Sequence, residues 1–109
     1  MTTALPVVCV PRLDLEAPDV GDAVAAAALL ADPTRAAILR MLADGPVCVC
    51  EMAAALRMRD NAVSNHLARL RDAGLVRASR HETNARFLYY ERVEPAIAAA
   101  RSALDDVLR

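Results

Sequence analysis

Three short helical patterns follow one another between residues 33 and 72, each bounded by residues that begin or end a helix. Asp32-Pro33-Thr34-Arg35 combines an N-cap aspartate with a proline at the first helical position, and Gly45-Pro46 ends that helix. A second segment begins around residues 48–50, and a third runs from Asn61 to Asp72 with Asp60 as its predicted N-cap. The chain has only three aromatic residues. Its core must therefore be aliphatic, which favours closely packed helices.

The pattern changes to alternation after Ala73-Gly74, where residues 75–80 and 87–90 predict a β-hairpin around a polar tip. One further helix is predicted on each side of this central unit. The first runs from about Asp19 to Leu30, and the last begins near residues 93–95. The apolar stripe of the first helix is Val20, Val24, Ala27 and either Leu30 or Ala31. That of the last helix is Ile97, Ala100, Leu104, Val107 and Leu108. The predicted fold is mainly α with a small β-hairpin, a winged helix-turn-helix.

A chain of 109 residues predicts a single folded domain. Residues 1–18 contain three prolines and no helical period, so they are expected to form an arm that carries Cys9, and residues 19–109 form the domain. No apolar run is long enough to span a membrane, and no basic start precedes an apolar run, so a cytoplasmic protein is expected. Because phosphate loops, nucleophile elbows and zinc-protease motifs are absent from the sequence, an enzyme is not expected.

The third helical pattern has one apolar face and one polar face. Its apolar face carries Val63, Leu67 and Leu70. The polar face offers amides, a hydroxyl and a guanidinium, the groups that contact base edges and phosphates in the major groove. The predicted DNA contacts are Asn61, Ser64, Asn65 and Arg69, with Arg59 before the helix and Arg80 and Arg86 in the hairpin. His66 lies beside the buried face, where a bond to a neighbouring helix and a base contact are both possible.

The net charge of -1 hides a strong asymmetry along the chain. Residues 57–92 hold eight arginines against four carboxylates, or +4, whereas residues 1–34 hold one arginine against five carboxylates, or -4. All 13 basic residues are arginine, whose planar donors suit phosphate and guanine. The charge distribution therefore supports DNA binding by the helix-turn-helix unit.

The sequence resembles the ArsR/SmtB metalloregulators over about residues 20–95. The segments that carry the resemblance are Ala31-Asp32-Pro33-Thr34-Arg35, Val47-Cys48-Val49-Cys50-Glu51-Met52, Ala62-Val63-Ser64-Asn65-His66-Leu67 and Ala73-Gly74-Leu75-Val76. The resemblance implies a homodimeric repressor that leaves its operator when metal binds, with the first and last helices forming the dimer interface. The two apolar stripes agree with that interface. Two-fold symmetry would then place two reading helices on a palindromic site.

The three cysteines predict a thiolate site for a soft metal or metalloid. Cys48 and Cys50 stand two residues apart at the start of a helix, and Cys9 is the only further cysteine. Three sulfurs suit As(III), Sb(III) or Pb(II), and they can hold Cd(II) with an added water or carboxylate. The resemblance implies two precedents for this site. Cadmium and lead sensors of the family join N-terminal cysteines to such a pair. Arsenite sensors often carry a third cysteine three residues after the pair, where this chain has Ala53. Because the last helix has no histidine, a nickel or zinc site of the His type is not expected there.

Two alternatives stay open at this point. A redox- or sulfide-sensing repressor of the same fold would cross-link Cys9 to Cys48 or Cys50 on oxidation. A protein-interaction module with a degenerate reading helix would show no salt-dependent DNA binding.

Overall fold

The computed structural model describes residues 15–79 and 88–109. In that part of the chain the elements are α1 (Gly21–Leu30), α2 (Pro33–Met41), a 3-10 turn (Leu42–Asp44), β1 (Val47–Cys48), α3 (Val49–Leu56), α4 (Asp60–Asp72), β2 (Val76–Ser79), β3 (Tyr89–Arg92) and α5 (Glu94–Leu108). The mainly helical winged fold is confirmed. Three predicted site residues, Cys9, Arg80 and Arg86, lie outside the described residues.

The expected start and stop signals set most helix boundaries. The Asp32 carboxylate accepts hydrogen bonds from the backbone N–H groups of Thr34 at 2.8 Å and Arg35 at 3.2 Å, as an N-cap does. Gly45 and Gly74 have φ angles of 138° and 81°, which end the helical segments in a region that favours glycine.

Two helix starts differ from the prediction. Asp60 is the first residue of α4 rather than its N-cap, which is Arg59 and makes no side-chain capping bond. Asp60 still lies in the first turn, where a carboxylate interacts favourably with the helix dipole. Helix α1 begins at Gly21 rather than near Asp19, because the Asp19 side chain instead accepts a 3.0 Å hydrogen bond from the Gly21 N–H.

The sheet has three strands rather than the two of the predicted hairpin. Strands β2 and β3 pair antiparallel, and β1 pairs antiparallel with the other edge of β3, giving the order β1-β3-β2. Strand β3 also lies later in the chain than the predicted segment 87–90, since it pairs Val76 with Arg92. Strand β1 was missed because two residues are too few for an alternating pattern to be recognised.

The core lies where α2, α3 and α4 pack against each other and against the sheet. Its fully buried side chains are Ile38, Leu42, Met52, Val63, Leu67, Leu70 and Val76. The predicted buried face of α4 is therefore confirmed. This packing fixes which face of α4 points into solvent.

Helices α1 and α5 pack against each other beside this core. Helix α1 buries Ala23 and Ala26, while the predicted stripe residues Val20, Val24 and Leu30 stay substantially exposed. The Arg35 side chain donates from Nε to the carbonyl of Leu29 at 2.9 Å, which joins the end of α1 to α2. Within the described ranges, no helix is long and apolar enough to cross a membrane.

Candidate DNA interface and thiolate site

Helix α4 presents a polar face on the side opposite its buried residues. Asn61, Asn65 and Arg69 follow each other at intervals of four residues and are all exposed. Ser64, the fourth predicted contact on this helix, is half-buried at the edge of the face. The structure therefore brings three of the four together as a continuous exposed row.

The turn between α3 and α4 places two arginines before this row. Arg57 adopts the left-handed conformation, with φ 55° and ψ 45°, and the N–H of Met58 donates to the Ala53 carbonyl at 3.0 Å. This pattern closes the end of α3 and turns the chain sharply into α4. Arg59 is exposed at the start of α4. Among the described residues, neither Arg59 nor Arg69 forms an ion pair, so their charges are available to a phosphate.

The two strands of the hairpin are joined by a charged pair as well as by backbone bonds. Arg77 on β2 and Glu91 on β3 are cross-strand partners, and their side chains meet at 2.7 Å. Because its guanidinium is already paired, Arg77 is less available to DNA than Arg59 or Arg69.

A hydrogen bond from His66 to a neighbouring helix was one of its two predicted roles. Among the described residues, its Nδ1 atom makes no such bond. That nitrogen is buried and has no hydrogen-bond partner in the described structure. The imidazole lies in the electrostatic neighbourhood of Asp32 at the start of α2. The hydrogen bond from the Arg35 N–H holds the pKa of Asp32 below its ordinary value, although burial acts to raise it. The hydrogen bond from the Thr34 N–H and the charges of His66 and Arg35 lower the pKa further.

Cys48 is both the last residue of β1 and the N-cap of α3. Its sulfur accepts a hydrogen bond from the Cys50 N–H at 3.3 Å, and its own N–H donates to the Glu51 carboxylate at 3.3 Å. This is a capping box in which cysteine replaces the usual serine or threonine. The pattern Cys48-Val49-Cys50-Glu51 carried this signal, but the sequence reasoning did not use Glu51.

The two thiols of the pair differ in exposure. Cys48 is buried, with 2% of its surface exposed, whereas Cys50 is exposed. The hydrogen bond with Cys48 raises the pKa of the Cys50 thiol, and partial desolvation and the Cys48 charge raise it further. Cys50 therefore holds its proton at neutral pH, and a metal ion that binds there would have to displace it.

Tyr89 is a neighbour of the pair that the sequence did not indicate. It is the cross-strand partner of Cys48 in the β1–β3 ladder. Desolvation raises the pKa of the Tyr89 hydroxyl, and the nearby Cys48, Glu51 and Cys50 raise it further. These shifts place the tyrosine within the electrostatic field of the thiols.

The donor set fits a thiophilic ion in part. Two sulfurs, which are soft donors, lie at the start of α3. The Glu51 carboxylate lies beside them. In residues 15–79 and 88–109, however, no group of three His, Cys, Asp or Glu side chains is arranged to hold a metal. A third sulfur would have to come from Cys9, which lies outside these ranges.

Comparison with known proteins identifies the family. The model of the bacterial regulatory protein, arsR family, matches residues 32–78, which span α2 to β2. The arsenical resistance operon repressor of Escherichia coli is 35% identical over 83 residues, covering 74% of this chain and 68% of that protein. The arsenic resistance transcriptional regulator ArsR1 of Pseudomonas putida is 39% identical over 69 residues, covering 62% of this chain. The chain spans only 51% of that second relative's length.

A solved structure agrees in both fold and sequence. The structure of a possible transcriptional regulator for arsenical resistance superposes with a TM-score of 0.68 at 30% identity, covering 77% of this chain and 84% of the other. The family and these relatives are transcriptional regulators and not enzymes. The chain belongs to the bacterial regulatory protein, arsR family.

Proposed function

We propose that the chain is a cytoplasmic, homodimeric repressor that leaves its operator when a thiophilic metal or metalloid binds Cys9, Cys48 and Cys50. The observation that carries the proposal is the placement of the cysteine pair at the start of α3, one helix before the exposed row of α4. An effector bound there contacts the same helix-turn-helix unit that would hold the DNA.

The proposed DNA contacts divide by chemistry. Asn61, Ser64 and Asn65 supply short hydrogen-bonding groups to base edges or phosphates in the major groove. Arg59 and Arg69, together with Arg80 and Arg86, would contact phosphates or guanine. Because phosphate contacts release counterions, removing one phosphate-binding arginine should lower the salt dependence by about one unit of slope.

The proposed dimer interface is supported by the apolar surface around α1 and α5. No residue of α5 is buried within the protomer, although the helix carries a continuous apolar stripe. A groove of about 240 Å³ opens between the two helices and the core, lined by Leu30, Ile97 and Leu104 among others. A second copy that covers this face would bury surface that a monomer leaves in water. A symmetric dimer would present two copies of α4 to a palindromic operator.

The effector site is supported by the chemistry of its donors. Cys48 and Cys50 supply two sulfurs, Cys9 would supply the third, and Glu51 places a negative charge beside them. As(III), Sb(III) and Pb(II) accept three sulfurs, and Cd(II) accepts three with one further oxygen. The names of the two relatives, both of arsenic resistance, favour As(III) among these candidates.

Release from DNA would follow if the bound effector favours a dimer in which the two α4 helices no longer fit successive grooves. A coupling free energy of about 1–3 kcal/mol is typical and would weaken operator binding roughly 5- to 150-fold. A redox sensor of the same fold is the second candidate, because the exposed Cys50 thiol would serve it equally, and it would cross-link Cys9 to Cys48 or Cys50 on oxidation.

A gel-shift titration of operator DNA tests the proposal with As(III), Sb(III), Cd(II), Pb(II), Zn(II) and Cu(I), each with and without reductant. We expect release by the thiophilic species in reductant, and no release of the Cys48→Ser variant, which should still bind DNA. Release of that variant by every soft metal would refute the site. Release by oxidant alone, reversed by reductant, would instead indicate redox sensing.

A further inference from the structure

The start of α3 is bonded directly to the start of β3. The Val49 N–H, the first amide of α3, donates to the Leu88 carbonyl at 2.9 Å. The preceding residue, Cys48, is the cross-strand partner of Tyr89. A proposed effector ligand therefore belongs to the same backbone ladder as strand β3.

This ladder continues across the sheet to β2. Tyr89 pairs with Cys48 on one side and with Ser79 on the other, so the three residues form one row across the sheet. Ser79 immediately precedes residues 80–87 in the chain, and Leu88 immediately follows them. Both ends of the segment that contains the proposed DNA contacts Arg80 and Arg86 are thus held at the row that contains Cys48.

We propose that effector binding at the cysteine pair is transmitted to strands β3 and β2 through the Val49–Leu88 hydrogen bond and the Cys48–Tyr89–Ser79 row. The inference rests on the proposed function and specifies how its site is coupled to DNA. Strands β2 and β3 then shift together with, or ahead of, the reading helix α4.

The physical reason lies in the double use of Cys48. Its sulfur accepts the Cys50 N–H and so helps to fix the first turn of α3. Coordination would deprotonate this sulfur and fix the direction of its bond to the ion, so the Cys48 side chain and the first turn that it caps would reorient together. A shift of the first turn moves the Val49 N–H relative to the Leu88 carbonyl, and hydrogen bonds weaken steeply with misalignment. Helix α4 packs against α3 in the core, so the Asn61 row is coupled to the same turn by packing rather than by this backbone ladder.

The Val49→Pro variant removes this hydrogen bond with little other change to the backbone. Val49 is the first residue of α3, where proline is favoured and where no intrahelical bond is lost. Cys48 has φ -71° and ψ 143°, the extended conformation that a residue before proline requires. Val49→Ala is the matched control, because it shortens the same buried side chain but keeps the N–H.

The experiment measures operator affinity by fluorescence anisotropy with and without saturating Cd(II), and Cd(II) binding by the cadmium–thiolate absorbance. We expect Val49→Pro to bind Cd(II) with an affinity within about threefold of the parent's. The ratio of its operator affinity without Cd(II) to that with Cd(II) should fall below about three, whereas Val49→Ala should keep the parent's ratio. A Val49→Pro ratio equal to that of the parent would overturn the inference and leave the proposed function standing. A parent protein that binds Cd(II) through its cysteines but shows no effect of any effector on operator affinity would overturn the proposed function itself.

Amide hydrogen exchange on the parent protein keeps the inference testable if Val49→Pro does not fold. We expect Cd(II) to change exchange at Val49 and in residues 76–79 and 89–92 by about tenfold, and to leave the Cys48→Ser variant unchanged. Changes confined to α3 and α4 would overturn the inference.

Discussion

Replacing Cys48 by serine or by alanine separates its structural role from its proposed role as a ligand. The structure makes Cys48 the N-cap of α3, with its sulfur 3.3 Å from the Cys50 N–H. Serine keeps an acceptor at this position and alanine does not. Both substitutions remove the sulfur that would bind the effector. We therefore expect both variants to lose effector-dependent release, but only alanine to weaken the start of the helix.

The expected difference in stability is that of one helix cap. Replacing a serine N-cap by alanine costs about 0.5–2 kcal/mol, typically about 1 kcal/mol. The bond from the Cys50 N–H to the Cys48 sulfur is part-buried, so water would replace the lost acceptor only in part. The Glu51 half of the capping box, which accepts from the Cys48 N–H, is present in both variants. Cys48→Ala should thus be about 1 kcal/mol less stable than Cys48→Ser.

Urea unfolding followed by circular dichroism measures this difference. With a slope of about 1–3 kcal/mol per molar urea for a small protein, a difference of about 1 kcal/mol separates the two midpoints by about 0.3–1 M. All variants must be compared at one protomer concentration, because the stability of the proposed dimer would depend on that concentration. Equal midpoints for serine and alanine would refute the capping role of Cys48. Serine below alanine would show that the cost of burying its hydroxyl exceeds the capping contribution.

Two further predictions concern the effector and the dimer. The raised pKa keeps the Cys50 thiol protonated, so Cd(II) must release that proton when it binds, and Cd(II) affinity should rise with pH between about 6 and 8. Neutral arsenous acid instead exchanges its hydroxyls for thiols, which releases water and no net proton. The affinity for As(III) should therefore stay nearly constant over the same range. Isothermal titration in several buffers measures both affinities, and a Cd(II) affinity independent of pH would contradict the protonated thiol. The second prediction concerns the proposed dimer interface. Val24→Asp would place an unpaired charge on the exposed apolar face of α1, so sedimentation should show a monomer at micromolar concentration. Ala54→Asp on α3, the control, should form the dimer. A dimeric Val24→Asp would place the interface elsewhere.

The helices and the buried face of α4 were predictable because they depend on local signals. Asp32 caps α2 through its own side chain, and Val63, Leu67 and Leu70 recur at the spacing of one helix face. Both signals are complete within one turn or two of the chain. The sequence alone therefore indicated the helix-turn-helix and the polar row that α4 leaves exposed.

Strand β1 and the neighbours of the cysteines were not predictable, because they depend on pairing between distant segments. Val47 and Cys48 become a strand only when β3 lies beside them, more than 40 residues later in the chain. The juxtaposition of Cys48 and Tyr89 follows from that register, and no local pattern specifies it. The start of α4 was misplaced by one residue, because both Arg59 and Asp60 stand at the boundary and an aspartate favours the cap position.

Coupling between the effector site and the operator-binding face can be measured as the difference in effector affinity with and without bound DNA. Thermodynamic linkage requires that the factor by which the effector weakens operator binding equals the factor by which operator weakens effector binding. The effector that passes the gel-shift test is titrated into the free protein and into the protein saturated with operator DNA. We expect the effector to bind the DNA complex more weakly by the same factor, roughly 5- to 150-fold. Equal affinity for the free and the DNA-bound protein would contradict it.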